Sequence, residues 1–148
     1  MDFLFKSGDG GQSWQGIGKG FPSTNQPFSI WADDATLYLG GSDGLYKGIT
    51  AFPTVKWDRD MFMQDEITGI YHGQYGNYAL SPRSGLYQNE PMTGQWRPLH
   101  ENLKDKTIHT MLESRDGGIL ACCESGIFSS VNKGKTWKQT FDKGPAYK

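Results

Sequence analysis

The sequence predicts an all-β, propeller-type repeat of four-stranded antiparallel blades with a period of 41 residues, and three observations support this prediction. The segment 7–14 reads SGDGGQSW and returns at 130–137 as SVNKGKTW, 123 residues or three intervals of 41 later. Leu4-Phe5 recurs at the same interval as Leu45-Tyr46, Leu86-Tyr87 and Ile127-Phe128. Aromatic residues make up 14% of the chain, which also has 20 glycines, a composition typical of short strands and tight turns. Four strands in about 41 residues correspond to one propeller blade.

The first 20 residues are predicted to form half a blade. Two short strands lie between 3 and 17 and flank the turn at 7–13. Asp9 and Ser13 can hydrogen-bond to local backbone groups, and Gly10 and Gly11 can adopt a positive φ. We expect Trp14 to anchor this hairpin on its apolar side.

Three complete blades are predicted to follow, at 21–60, 61–100 and 101–141, with a tail at 142–148. Alternating apolar residues between turn signals place their strands at 28–32, 36–40, 45–49 and 54–58; 67–72, 77–80, 85–89 and 95–98; and 108–114, 118–122, 127–131 and 136–140. The segment 99–106 could hold a short helical turn. The tryptophan of the half blade recurs in step as Trp96 and Trp137, and two residues late as Trp57.

An array of three and a half blades leaves apolar blade faces uncovered at its ends. Residues 1–148 are therefore predicted to be a single partial or small propeller domain. Three arrangements would cover the ends: further blades of a longer propeller, self-association with other chains, or a small four-bladed ring with one incomplete blade.

The two terminal turns share the pattern S-x-[DN]-x-G-x-[ST]-W, and through it the chain resembles the Asp-box or BNR-repeat propellers. That class includes sialidases, sortilin-type receptor domains and photosystem II assembly-factor propellers. The resemblance implies that the motif residues shape the turn between the third and fourth strands and have a structural role; they are Ser7, Asp9, Gly11, Ser13, Trp14, Ser130, Asn132, Gly134, Thr136 and Trp137. Thr50 and Pro91 stand at the aspartate position of the middle repeats, which are expected to keep the hairpin without the box.

The charge and cysteine content argue against several function classes. With 15 basic and 16 acidic side chains the net charge is −1, which gives no electrostatic case for nucleic acid or an anionic membrane. No apolar run approaches the roughly 20 residues that span a bilayer. Cys122 and Cys123 are neighbours on a predicted strand and should point to opposite faces, so no mutual disulfide is expected. No histidine or cysteine spacing predicts a metal, and no motif predicts a cofactor.

The start of the chain carries no signal-peptide pattern, so the compartment stays open. Either the chain is cytoplasmic, or it is extracellular or periplasmic and a leader has been removed.

Ligands of propellers usually meet the rim built from the loops between strands two and three and between consecutive blades. Candidate binding residues on these loops, together with one turn aromatic, are Asp43, Arg59, Asp60, Arg83, Glu124 and Tyr75. Asp43, Asp60, Asp65 and Glu124 could also face one another across a cleft, as a glycosidase requires. The arginines, by contrast, are not placed to form the three-arginine site of a sialidase.

These observations favour a non-catalytic binding or scaffolding module that acts through rim loops or exposed blade faces on a protein or carbohydrate partner. The alternative is a fragment of a carbohydrate-active Asp-box enzyme whose active site needs further blades.

Overall fold

The chain is all-β, and its computed structural model describes residues 3–32, 35–51, 54–99 and 101–142. These residues form four antiparallel sheets. A two-stranded sheet, called the half sheet, contains β1 (Phe5–Lys6) and β2 (Gln15–Gly16). The predicted fold class is confirmed, with the sheets arranged as repeated blades.

Three four-stranded sheets follow the half sheet, and in each of them every strand pairs with the next along the chain. The first sheet contains β3 (Pro27–Ala32), β4 (Thr36–Gly41), β5 (Gly44–Ala51) and β6 (Thr54–Arg59). The second contains β7 (Gly69–Gly73), β8 (Gly76–Ser81), β9 (Gly85–Asn89) and β10 (Trp96–Pro98). The third contains β11 (Ile108–Glu113), β12 (Ile119–Cys123), β13 (Gly126–Ser130) and β14 (Lys138–Asp142). A 3-10 turn, Glu101–Leu103, lies where a helical turn is expected.

The strand register explains why Trp57 comes two residues late in the repeat. Trp57 pairs with Gly48, and Trp96 pairs with Asn89, which follows Gly48 by one period of 41. The two tryptophans therefore occupy equivalent positions. The additional residues extend the pairing of β5 with β6 as far as Ala51 and Thr54.

A second irregularity lies in the turns between the second and third strands. In the first and third sheets two residues separate the paired ends, Gly41 with Gly44 and Cys123 with Gly126. In the second sheet three residues separate Ser81 from Gly85. The residues of β8 are consequently shifted by one position relative to the 41-residue period. Every side chain of β8 therefore points to the face opposite to the one that the period alone predicts.

The core lies between consecutive sheets as three apolar clusters. Leu4 of the half sheet packs with Leu39 and Tyr46 of the first. Leu45 packs with Ala79 across the next interface, and larger side chains, including those of Tyr78, Leu86, Met111 and Phe128, fill the third. Gly40 allows the segment that leads into β7 to pack closely on β4, because a Cβ there would lie 2.5 Å from Cγ2 of Ile67.

The two adjacent cysteines follow the alternation of β12. Cys123 is buried against the second sheet, Cys122 is half-buried, and both are free thiols. Across the described ranges, no helix is long and apolar enough to cross a membrane.

Candidate functional site

The turn between β1 and β2 is organised by the carboxylate of Asp9. Its Oδ1 accepts hydrogen bonds from the backbone N–H of Gln12 (3.0 Å) and Ser13 (2.9 Å), and its Oδ2 accepts from the Ser13 hydroxyl (2.5 Å). Ser7 Oγ donates to Asp9 Oδ1 at 2.8 Å and accepts from the N–H of Gly11 at 2.7 Å. These donors, Ser13 first, lower the pKa of Asp9 to about 2.

The turn between β13 and β14 has the same geometry with a neutral residue at its centre. Asn132 Oδ1 accepts from the backbone N–H of Thr136 at 2.9 Å, and Asn132 Nδ2 donates to Thr136 Oγ1 at 2.7 Å. Ser130 Oγ donates to Asn132 Oδ1 at 3.0 Å and accepts from the N–H of Gly134 at 2.8 Å. An amide can replace the carboxylate because the acceptor that the turn needs is one oxygen.

The tryptophans that end these two turns have different surroundings. The indole N–H of Trp137 donates to the carbonyl of Leu99 at 2.7 Å, and its ring packs against the cluster between the second and third sheets. Trp14 is 63% exposed, and its N–H donates to Gly11 within its own turn at 3.2 Å. The expectation that Trp14 anchors an apolar side is therefore wrong, because no described sheet lies beside the half sheet on that side.

Two of the rim candidates, Asp43 and Arg59, hold the loops of the first sheet together. The Asp43 carboxylate accepts hydrogen bonds from the Asn25 amide and from the Tyr46 hydroxyl, the latter at 3.2 and 3.3 Å. The Arg59 guanidinium donates to the Asp43 carbonyl. Asn25 is buried, and burial also raises the pKa of Tyr46. These contacts connect the loop before β3 to the β4–β5 turn.

The carboxylates considered for a catalytic pair have separate surroundings. Asp60 Oδ1 accepts from the backbone N–H of Phe62 at 2.8 Å and of Met63 at 3.0 Å, so it shapes its own loop. Asp65 accepts from the Ser84 hydroxyl. Glu124 is an exposed residue of the β12–β13 turn.

Arg83 lies apart from these carboxylates. It lines a small cleft of about 100 Å³ together with Lys104 and Lys106. Each lysine has an acidic partner, Glu101 at 2.7 Å and Asp105 at 3.1 Å.

Tyr75 lies at the opposite end of the second sheet from Arg83. Tyr75 is in the β7–β8 turn and Arg83 in the β8–β9 turn, and successive turns of an antiparallel meander lie at opposite ends. The Tyr75 ring covers Gly117, where a Cβ would lie 2.6 Å from Cε2, and the Lys133 ammonium is 4.9 Å from its centre. Tyr75 thus joins the turns of two neighbouring sheets.

A groove of about 270 Å³ lies between the first and second sheets and brings rim candidates Arg59 and Asp60 together with aromatic residues. Tyr38 and Trp96 meet edge to face in its wall, with ring centres 5.9 Å apart. Phe62, which also lines it, is 90% exposed. The remaining lining residues are Leu45, Lys47, Asp58, Met61 and Gly94.

The groove carries charges of both signs beside its aromatic wall. The Lys47 ammonium lies 6.0 Å from the centre of the Tyr38 ring. Asp58 pairs with Lys56 at 3.9 Å, and both side chains are mostly exposed, so this pair is weak. The groove therefore offers apolar rings together with accessible hydrogen-bonding groups.

A second cleft of about 240 Å³ lies between the second and third sheets, and two of its charged residues, Arg97 and Glu90, pair with each other. Arg97 Nε lies 3.3 Å from a Glu90 oxygen, and Arg97 donates to Gln88 Oε1 at 2.7 Å. Gln88 in turn donates to the Tyr78 hydroxyl at 3.3 Å, and Tyr78 donates to the Glu113 carboxylate of the third sheet. This cleft is bordered by a polar network that joins two sheets.

Within 3–32, 35–51, 54–99 and 101–142, no group of three or more histidine, cysteine or acidic side chains is arranged to hold a metal ion. The aromatic residues that line the groove are not among the candidate binding residues predicted from the sequence. Tyr38 and Trp96 belong to different sheets, and only the packing of those sheets brings them together.

No protein-family model and no curated protein matches the chain. Among solved structures, the chain is similar to one described as the extracellular domain of a one-component system from B. thetaiotaomicron, with 17% sequence identity and a TM-score of 0.44. The match covers 85% of this chain and 23% of that one, so this chain spans less than a quarter of the length of that structure. A likeness at this level carries no argument about function.

Proposed function

We propose that the chain is a non-catalytic binding and scaffolding module of the Asp-box propeller class. It acts as a single domain over 1–148, binding a ligand in the groove between the first and second sheets and a protein partner at its uncovered sheet faces. The observation that carries the ligand site is the combination of an aromatic wall, Tyr38 and Trp96, with the exposed ring of Phe62 in one concave site.

A carbohydrate is the ligand class that this groove favours. Sugar rings present a flat C–H face to aromatic side chains and hydroxyl groups to charged ones. Lys47, Asp58 and Arg59 line the same groove as the aromatic rings and can hydrogen-bond to such hydroxyls.

The carboxylates that line the groove support binding rather than hydrolysis. Asp60 accepts two backbone hydrogen bonds of its own loop, and Asp58 faces the ammonium of Lys56. A glycosidase needs an acid and a base on either side of the scissile bond, with the pKa of the acid raised. Both groove carboxylates therefore already have partners of their own, which favours a binding role.

Membership of the Asp-box class is supported by the two terminal turns. Asp9 and Asn132 each accept from the backbone N–H four residues later and contact a serine two residues earlier. The two turns therefore share one hydrogen-bonding pattern although 123 residues separate them.

The ligand site is tested by binding of a panel of neutral and acidic oligosaccharides, measured by isothermal titration calorimetry. We expect Phe62→Ala to weaken binding of any sugar that binds the wild type by about two- to tenfold, because a stacked ring contributes about 0.5–1.5 kcal/mol. Val131→Ala is the matched control, since Val131 is similarly exposed and lies on the β13–β14 turn.

Three outcomes would contradict the proposal. These are the absence of binding to every sugar tested, equal effects of the two variants, and release of reducing sugar from a bound oligosaccharide. The last outcome would favour the carbohydrate-active enzyme.

A further inference from the structure

The two ends of the sheet array expose side chains that are buried at the equivalent positions inside it. On the half sheet, Phe5 is 55% exposed, whereas Tyr46 and Phe128, one and three periods later, are 3% and 8% exposed. On the third sheet, Ile127 is half-buried, whereas Leu45 and Leu86 at the same repeat position are 1% and 0% exposed. At these positions no sheet among the described residues packs against the side chains.

The outer face of the third sheet carries an apolar residue on each of its four strands, beside the polar residues Thr110, Ser129 and Lys138 of the same face. Directly opposite residues of paired strands share one face. Ile127 pairs with Cys122 on one side and Phe141 on the other, and Leu120 pairs with Leu112. We call this set the outer face of the third sheet: Leu112, Leu120, Cys122, Ile127 and Phe141. Leu112 and Phe141 are 61% and 62% exposed.

The half sheet presents the complementary surface, here called the outer face of the half sheet and formed by Phe5 and Trp14. Inside the array, the equivalent residues of each following sheet pack on the sheet before it. Trp96 packs on Tyr38 and Leu45 of the first sheet, and Trp137 packs beside Leu86 of the second. Each chain thus carries both halves of the interface that joins its own consecutive sheets.

We propose that a second copy of this chain covers these faces, with the outer face of its half sheet docked on the outer face of the third sheet. The inference develops the scaffolding part of the proposed function and does not depend on the ligand groove. The contact is heterologous, because the two faces are different surfaces of one chain, so further copies can add until a ring closes. Continuity with the interfaces already present in each chain is the reason to expect a copy of this chain as the partner.

The test is the molar mass of the full chain by light scattering on a size-exclusion column at increasing concentration. We expect the wild type to be a discrete oligomer. Leu112→Glu and Phe5→Glu each disrupt one of the two faces and should raise the dissociation constant at least about tenfold, since a carboxylate would be buried without a partner. Both residues are more than half exposed, so the variants should fold, and Val131→Glu serves as the matched control.

A mixture of the two variants distinguishes a heterologous contact from any other. Leu112→Glu keeps an intact half sheet and Phe5→Glu keeps an intact third sheet, so the mixture has one functional interface. We expect each variant alone to be monomeric and the equimolar mixture to form a dimer of one copy of each. A monomeric wild type, a monomeric mixture, or variants that associate as the wild type does would overturn the inference.

Cys122 provides a second readout that does not need a substitution at the interface. It is half-buried on the outer face of the third sheet, whereas Cys123 is buried toward the second sheet and burial raises the pKa of its thiol. Alkylation of Cys122 by iodoacetamide should slow as protein concentration rises, and Leu112→Glu should abolish that dependence. An alkylation rate that is independent of protein concentration in the wild type would contradict the contact.

Phe62→Ala should leave the molar mass unchanged. A negative result for sugar binding in the groove and a negative result for self-association can therefore be told apart.

Discussion

Gly40→Ala is expected to destabilise the protein although it adds a single methyl group. Gly40 lies on β4 at the interface with the second sheet, and an added Cβ would lie 2.5 Å from Cγ2 and 2.7 Å from the carbonyl oxygen of Ile67. The side chain could change rotamer, but the carbonyl belongs to the backbone of the segment just before β7, and the N–H of Ile67 donates to the carbonyl of Gly41. The carbonyl can therefore move only if this segment shifts away from β4. Overpacking of this kind costs about 1–3 kcal/mol of unfolding free energy.

Urea unfolding followed by tryptophan fluorescence measures this cost. With a slope of about 2 kcal/mol per molar urea, the midpoint should fall by about 0.5–1.5 M at unchanged slope. Gly8→Ala is the matched control, because a Cβ there meets no atom within 4 Å, and its stability should stay within about 1 kcal/mol of the wild type. Equal midpoints for the two variants would refute the close approach of the segment before β7 to β4.

Three further predictions concern the turns and the polar network. The hydrogen bonds that lower the pKa of Asp9 to about 2 stabilise the β1–β2 turn above the unfolded pKa of 3.8, and that contribution should be lost as pH falls through 2. An NMR titration of the Asp9 carboxyl should therefore show a midpoint well below 3.8, and a midpoint at or above that value would contradict the geometry. Tyr78→Phe should cost about 1–3 kcal/mol in urea unfolding, because it removes the buried hydroxyl that donates to Glu113; an effect below 0.5 kcal/mol would contradict the network. Trp137→Phe should destabilise by more than Trp14→Phe in thermal unfolding of the monomer, since only Trp137 donates its N–H to a neighbouring loop. The reverse order would contradict the packing of these two rings.

Much of the fold could be predicted from the period of the sequence. The third strand of each sheet recurs every 41 residues and begins at a glycine with positive φ, namely Gly44, Gly85 and Gly126. Because glycine adopts this φ readily, the sequence marks the start of each third strand. By sequence position alone, Trp57 departs from the repeat by two residues. The strand register shows that Trp57 is equivalent to Trp96, because the β5–β6 hairpin is two residues longer and the pairing is otherwise the same.

The slip in β8 could not be read from the same period. One additional residue between Ser81 and Gly85 moves Leu80 to the face that packs on the third sheet and Ala79 to the face that packs on the first. A turn of two residues and a turn of three are both compatible with the local sequence, and the choice reverses every side chain of the strand.

The candidate site was only partly accessible to sequence reasoning. Loop position selected Arg59 and Asp60, which do line the groove. Loop position also predicts carboxylates that meet across a cleft, but Asp43 and Asp65 instead accept hydrogen bonds from Asn25 and Ser84. The distance between loop side chains depends on the rotation between sheets, which no repeat length encodes.

The amino-acid sequence alone determined the element type, the four-strand unit and the turns built around Asp9 and Asn132. These features depend on interactions between residues close in the chain: alternation along a strand, glycine at positive φ, and side-chain bonds over two to four residues. Only the tertiary structure decided which strand faces meet, which aromatic rings form the groove, and that Phe5 and Leu112 remain exposed at the two ends. Those outcomes depend on contacts between sheets, where a one-residue change in a turn decides which side chains are buried.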